Sequence, residues 1–399
     1  MKKTISIERL YYSITPYLFI LLMGGFIAYH IAVGYGLFPA FLGGYFGIAS
    51  VVVAAIYVLR LPNTLKLNIQ YAPALSFLHI SIFLIAFVTT IISSTYQDIP
   101  NETVTQSYNT LVLWTSLFLL GFHLLRSNTK KTVRLSFIFY FLFFGFVAIY
   151  FINTKSLIFD LKLLADADAD TVSGYQSLAR NLLVISILLI CYSSRTPVVL
   201  FLILSSSFLF FYLGARSEFV AFLFFGSLFM ILKTRHQKKY LLTIIAIILG
   251  LMALSYIFKE DLMSSRQLQL LDLKDSGSWL AREELEQKNI KIIQDHPILG
   301  SFGGHALATG DIGGYAHNSL SAYVNYGLVF WLGYTWLCVY TTFSSLRKLL
   351  KNSGKQHWWY SFSVNAVCLL LIVFAKPVFW VIPFFAWGVY FSARTLGKR

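Results

Sequence analysis

Two arginines stand where a charged side chain needs a reason. Gly214-Ala215-Arg216-Ser217-Glu218 is a minimal turn between two apolar stretches, and Arg282 lies early in a polar stretch that ends at Asp295-His296-Pro297. A planar guanidinium makes two parallel charge-assisted hydrogen bonds, which suits it to gripping a diphosphate. At Arg216 the plain alternatives, an ion pair with Glu218 or a side chain reaching back to a membrane interface, together weigh as much as a binding role. Further on, Gly300, Gly303, Gly304, Gly310, Gly313 and Gly314 surround His305 and lead into Tyr315-Ala316-His317-Asn318-Ser319. Glycine lets backbone N–H groups approach a ligand closely, so such a run can cradle a phosphate or be a plain loop. Asp166, Asp168 and Asp170 alternate with alanine, and a solvated loop is favoured there over a cation or sugar contact. Cys191, Cys338 and Cys368 lie inside apolar stretches and offer neither a disulfide framework nor a metal-ligand spacing.

The elements that must position these residues are membrane helices. Of 399 residues, 57% are hydrophobic and 12% charged, against about 25% charged in a soluble domain. That excludes most soluble enzymes, a disordered chain and a conventional nucleic-acid-binding surface. Stretches near the roughly 20 apolar residues that cross a bilayer fall at 10–33, 37–59, 72–93, 110–125, 135–152, 178–192, 198–214, 219–232, 241–257, 320–340, 358–374 and 378–392. The expected fold is an all-α polytopic membrane protein with about twelve transmembrane helices. Residues 1–257 carry the first nine, 258–318 form one large loop, and 319–399 carry the last three. Within the loop, Trp279 to Asp295 reads as an amphipathic helix. Ser278 is its candidate cap, Glu283 and Glu284 sit in its first turns, and Ala281, Leu285, Ile292 and Ile293 form its apolar face, with Arg282 near the edge.

Charge sets the orientation. With both termini inside, the inner segments hold 21 of the 32 lysines and arginines but a single acid, Glu8. The net charge of +15 is then a topological bias toward the cytoplasmic face and not a signal for nucleic acid. The first apolar stretch is too long for a cleavable signal and reads as a retained helix. No acid or base falls in the middle of any expected span. Arg180 comes closest, at an outer edge where snorkelling is favoured, while His30, His79 and His123 read as hydrogen-bonded interhelical or interfacial residues. Coupled transporters commonly carry ionisable residues within the membrane, so this pattern speaks against one and puts any chemistry at the outer face.

Three pieces together resemble the O-antigen polymerases (the Wzy type) and O-antigen ligases of bacterial inner membranes. They are the turn Gly214-Ala215-Arg216-Ser217-Glu218-Phe219, the loop helix from Arg282 ending Asp295-His296-Pro297-Ile298-Leu299-Gly300, and His317-Asn318-Ser319 followed by Tyr323-Val324-Asn325-Tyr326-Gly327. The motif match covers about residues 212–330. The resemblance implies a glycosyltransferase at the periplasmic face of the inner membrane. It would take an oligosaccharide from undecaprenyl diphosphate and pass it to another lipid-linked repeat unit (polymerase) or to lipid A-core (ligase). It also implies that Arg216 and Arg282 bind the diphosphate and that His317 activates or positions the acceptor. Glu218, Asn318 and His305 are supporting substrate contacts, and no metal or other cofactor is required. The expected partners are the lipid-linked oligosaccharide, the bilayer and a separate chain-length regulator. The turn reads Ala-Arg-Ser-Glu-Phe where ligases more often show Ser-Arg-Gly, which favours the polymerase. A flippase or other transporter of lipid-linked oligosaccharide should show charged cavity residues and internal repeats, and the sequence shows neither.

Overall fold

The computed structural model describes residues 7–39, 44–96, 99–154, 159, 175–234, 277–352 and 354–397. Among these residues every regular element is a helix and there is no strand. The helices are α1 (Ile7–Gly34), α2 (Tyr45–Val58), α3 (Leu61–Tyr71), α4 (Pro73–Tyr96), α5 (Asn101–Leu124), α6 (Thr129–Thr154), α7 (Tyr175–Tyr192), α8 (Thr196–Tyr212) and α9 (Arg216–Thr234). After the undescribed stretch follow α10 (Gly277–Asp295), α11 (Gly304–Thr309), α12 (Leu320–Lys351), α13 (Gln356–Phe374) and α14 (Ile382–Leu396). The expected span at 241–257, the opening of the large loop at 258–276, and Asp166, Asp168 and Asp170 lie outside the described residues.

Among the described residues four helices are long and apolar enough to cross a membrane: Glu8–Gly34, Pro73–Thr95, Thr129–Thr154 and Gln356–Phe374. The pair Tyr45–Val58 and Leu61–Tyr71, bent by 75°, makes a fifth if it is one span. On α6, Ile138, Leu142, Ile149 and Ile152 are all exposed. Large aliphatic side chains laid bare along one helix face suit a lipid solvent better than water. The chain thus has the make-up of a membrane protein. Other apolar helices fall short for local reasons. α9 carries Arg216, Glu218 and Lys233 within its length, and the first turns of α5 hold Asn101, Glu102, Thr105, Gln106 and Asn109.

Two of the differences from the expected boundaries are set by proline. Residues 60–71, expected as a connecting segment, form α3, which has Pro62 in its first turn. The last helix starts at Ile382 and not at Val378, with Pro383 in its first turn. Proline is tolerated there because those N–H groups have no intrahelical acceptor. In both places the proline marks a helix start that hydrophobicity alone does not reveal.

The chain divides into two compact units that interleave in sequence: Met1–Phe26, Leu42–Leu135 and Ala281–Arg399 form the first, and Ile27–Phe41 and Ser136–Leu280 the second. In the first, α5 and α14 pack backbone to backbone. A Cβ on Gly388 would collide with the Phe118 carbonyl oxygen, and one on Gly121 with that of Phe385. Small residues allow this approach, and close packing drives helix association in lipid. Around the seam, Trp114 stacks on Phe384 (4.2 Å between centroids) and His79 on Phe118 (4.2 Å). Asn365 accepts a bond from Thr341 (2.8 Å) and donates to the Ala386 carbonyl (3.1 Å), tying α13 to both neighbours. In the second unit the Tyr140 hydroxyl lies 2.7 Å from Ser205 Oγ and 2.9 Å from Ser206 Oγ, and Ser206 donates to Ser186 (3.1 Å), so α6, α7 and α8 share one hydroxyl chain.

Candidate functional site

The loop before α12 is seated by backbone contacts that require glycine. α12 breaks at Gly327 (φ 80°, ψ 177°), and the segment after α10 docks into the break. Ser301 N–H donates to the Val324 carbonyl (2.6 Å), Leu328 N–H to the Ile298 carbonyl (3.0 Å), and the Tyr323 hydroxyl to the Pro297 carbonyl (2.6 Å). A Cβ on Gly300 (φ +68°) would lie 2.5 Å from the Tyr323 and Val324 carbonyl oxygens, and one on Gly327 would lie 2.7 Å from the Ile298 oxygen. Asn325, fully buried, accepts from Gly303 N–H (3.2 Å). Gly300→Ala or Gly327→Ala is therefore expected to cost more than about 1 kcal/mol, since each forces a left-handed φ and a collision at once. A lowered thermal midpoint in detergent and faster proteolysis around residue 300 would show it; an unchanged midpoint would mean the loop is not seated this way.

That docking presents His317. Asn318 Oδ1 accepts the Leu320 N–H (2.9 Å) and the Asn318 carbonyl accepts the Ser321 hydroxyl (2.8 Å), which fixes the start of α12. Ser321 Oγ also accepts the Val378 N–H (2.8 Å) and so holds the 375–381 turn against it. His317 is half-buried beside this turn, with Tyr315 at 5.4 Å between ring centroids. Tyr315 touches Phe379 (5.5 Å) and His305 (5.8 Å). His305 is fully buried, so in this structure it supports the aromatic rings and meets no solvent. Its pKa falls to about 4 through burial, opposed by the Ile312 carbonyl and the Asp311 carboxylate.

Three basic side chains share this corner of the first unit. Burial, then the guanidinium of Arg282, then the ammonium of Lys376 lower the His317 pKa to about 4. Arg282 is half-buried on α10. Lys376 is only 4% exposed. Both charges are felt at His317, so an anion bound beside the imidazole would meet them too. The neutral imidazole that results is able to accept a proton at neutral pH.

The loop helix differs from its sequence pattern in one respect. Ala281 is exposed, while Leu285, Ile292 and Ile293 are half-buried. The fully buried residue is the polar Asn289, whose amide donates to the Leu285 (2.7 Å) and Gly314 (3.1 Å) carbonyls. The helix is thus docked by a hydrogen bond to the glycine loop as well as by apolar contact. It begins at Gly277, one residue before the expected cap.

In the second unit Gly214 (φ +74°) ends α8, and Arg216 opens α9, where it is half-buried. Glu218 sits in the first turn, fully buried, and accepts the Ser217 hydroxyl (2.8 Å). An acid in a first turn complements the helix dipole. Arg180 is half-buried with its Nε covered, and its charge interacts with Glu218 and with His30.

The structure thus gathers Arg282, His317, Asn318 and His305 in the first unit and places Arg216 and Glu218 in the second. Sequence reasoning missed Lys376 and Asn289, and it gave Arg180 and Asn325 no role in positioning a site. Lys376 had a usable signal, being the lone charge in an otherwise apolar run from Trp358 to Ala393, set just before Pro377. No protein-family model matches the chain, and no curated protein matches it.

Proposed function

We propose that this chain is a polymerase of O-antigen or a related surface polysaccharide. It transfers glycan from undecaprenyl diphosphate to the sugar end of another lipid-linked repeat unit at the periplasmic face of a bacterial inner membrane. The reading includes twelve membrane spans, cytoplasmic termini and an outer loop at 258–318. The observation that carries it is the His317 corner, where a neutral histidine lies within the electrostatic reach of Arg282 and Lys376.

The chemistry follows from those charges. An acceptor hydroxyl attacks the anomeric carbon, the glycosyl–oxygen bond to the diphosphate breaks, and undecaprenyl diphosphate leaves with the bonding electrons. Negative charge grows on the leaving group, so fixed cations stabilise the transition state more than the ground state. In this reading Arg282 and Lys376 supply that charge, and Arg216 has a diphosphate-binding role as the motif resemblance implies. Glu218 anchors the α9 turn and orients its arginine, and Asn318 holds the acceptor side, with the buried His305 supporting the Tyr315 ring behind it. The acceptor proton passes to His317 as the new bond forms.

Donor and base are coupled in this scheme. A bound diphosphate offsets the cations that depress His317 and so raises its pKa. His317 works as a neutral base, so activity falls as pH drops through its pKa. The acid limb of kcat/KM, which reports free enzyme, is expected near pH 4, and that of kcat at higher pH. Lys376→Met removes one depressing charge at similar volume. It is expected to move the kcat/KM limb upward toward the ordinary histidine value of 6.5. A limb that stays in place in the variant would separate Lys376 from His317.

Glycan analysis of a strain lacking this chain tests the function. A single repeat unit on lipid A-core indicates a lost polymerase. Bare core with lipid-linked polymer accumulating indicates a ligase, and unaltered surface glycan would contradict both.

A further inference from the structure

The C-terminal end of α12, the start of α13 and the last turn of α14 enclose a cavity of about 360 Å3 within the first unit. Arg347, Lys348, Lys351, Lys355 and Arg394 line it, and no acidic residue does so among the described residues. Arg394 is held in place, with Nε donating to the Tyr71 carbonyl (3.0 Å) and Nη1 to the Tyr390 hydroxyl (2.9 Å). The Tyr390 hydroxyl lies 2.9 Å from Ser344 Oγ. Trp358 and Tyr340 contribute aromatic walls.

Local effects account for part of this charge. Lys348 and Lys351 lie in the last turn of α12, and Arg394 in that of α14, where the helix dipole favours cations. Lys355 is the N-cap of α13, where the dipole repels one. The inside-positive bias asks only for basic residues in short inner segments; it does not ask five of them to converge on one hollow. A second, 490 Å3 cavity of the same unit shows the contrast, since it holds Arg60, Lys66 and Arg126 but also Glu8, 3.8 Å from Arg60. Five like charges around one space repel each other unless an anion lies among them.

We propose that this cavity binds a phosphate group, carried either by a phospholipid headgroup or by a soluble phosphate. Arg394 is the fixed donor, and the lysines close over the anion as mobile point charges. The site is independent of the transferase chemistry assigned above, and it is testable with no glycan substrate.

The full-length chain in neutral detergent is titrated with dihexanoyl phosphatidic acid, inorganic phosphate or dihexanoyl phosphatidylcholine, and binding is read by calorimetry and by the thermal midpoint. Saturable binding of phosphatidic acid, weakened by salt, supports the proposal with a headgroup as the source. Equal saturable binding of inorganic phosphate supports it with a soluble anion as the source. Lys351→Gln and Lys355→Gln alter exposed side chains and should leave the fold intact. Each is expected to weaken binding about fivefold, and the double variant more, at the usual worth of a basic residue beside an anionic surface. Arg394→Gln should weaken it further, with the two lysine variants as the control for any loss of folding. Phosphatidic acid and phosphate binding no better than phosphatidylcholine, or lysine variants binding as wild type, would overturn the proposal.

Discussion

Arg282→Ala is expected to insert normally and yet produce no long-chain glycan. The side chain is half-buried on α10 and its charge reaches His317. In the proposed reaction it meets negative charge that exists in full only after the glycosyl bond has broken. Losing one preorganised group of this kind costs about 100- to 1,000-fold in kcat, enough to reduce a polymer ladder to single units. A neighbour on the same helix provides the control. Lys288 pairs with Glu284 at 2.8 Å on the exposed face, and exposed i,i+4 pairs contribute little, so Lys288→Ala should polymerise as wild type. Arg216→Ala is expected to match Arg282→Ala. Normal ladders from both arginine variants, read on gels of surface glycan beside matched membrane expression, would remove the diphosphate-binding assignment.

His317→Ala is the second large effect, of a different kind. General-base assistance contributes about 100- to 10,000-fold, and it acts on the acceptor. The variant should therefore retain donor affinity while transfer falls. Removing an imidazole already kept neutral by burial, Arg282 and Lys376 takes no positive charge from the corner. Donor affinity can be measured with a fluorescent undecaprenyl diphosphate analogue, and transfer by chain extension. Loss of donor affinity with the residual transfer rate unchanged would move His317 from the acceptor to the donor.

Much of the helical architecture could be read from the sequence, because runs of apolar residues this long have few other solutions. The helix starts at Pro62 and Pro383 were less visible, since α3 is too polar to look like a span and the 375–381 turn too apolar to look like a turn. At the site, Arg282 and His317 were legible as a charge and a titratable group next to unusual glycines. Two of those glycines, Gly300 and Gly327, prove to be steric requirements of a loop docked into a broken helix; nothing in their spacing discloses that residues 27 apart would meet. Lys376 is about 60 residues from His317 in sequence, and the hydrogen bond from Val378 to Ser321 and the Tyr315–Phe379 contact bring its turn alongside. Asn289 is one turn from Leu285 and from Ile292 on the same side of α10, and its bond to Gly314 shows that a polar group helps to dock that side. Long-range pairings of polar groups leave no periodic trace, and they supply most of what defines this corner.

In the proposed reaction this corner drives glycosyl transfer out of a lipid diphosphate. The most direct measurement is a reaction of the purified full-length chain with an undecaprenyl-diphosphate-linked repeat unit alone, following both the glycan ladder and the released undecaprenyl diphosphate. A ladder is expected, with one undecaprenyl diphosphate released for each linkage formed, and neither product from Arg282→Ala. A wild-type protein that leaves the donor intact, or an Arg282→Ala protein that consumes it at the wild-type rate, would contradict the proposed reaction.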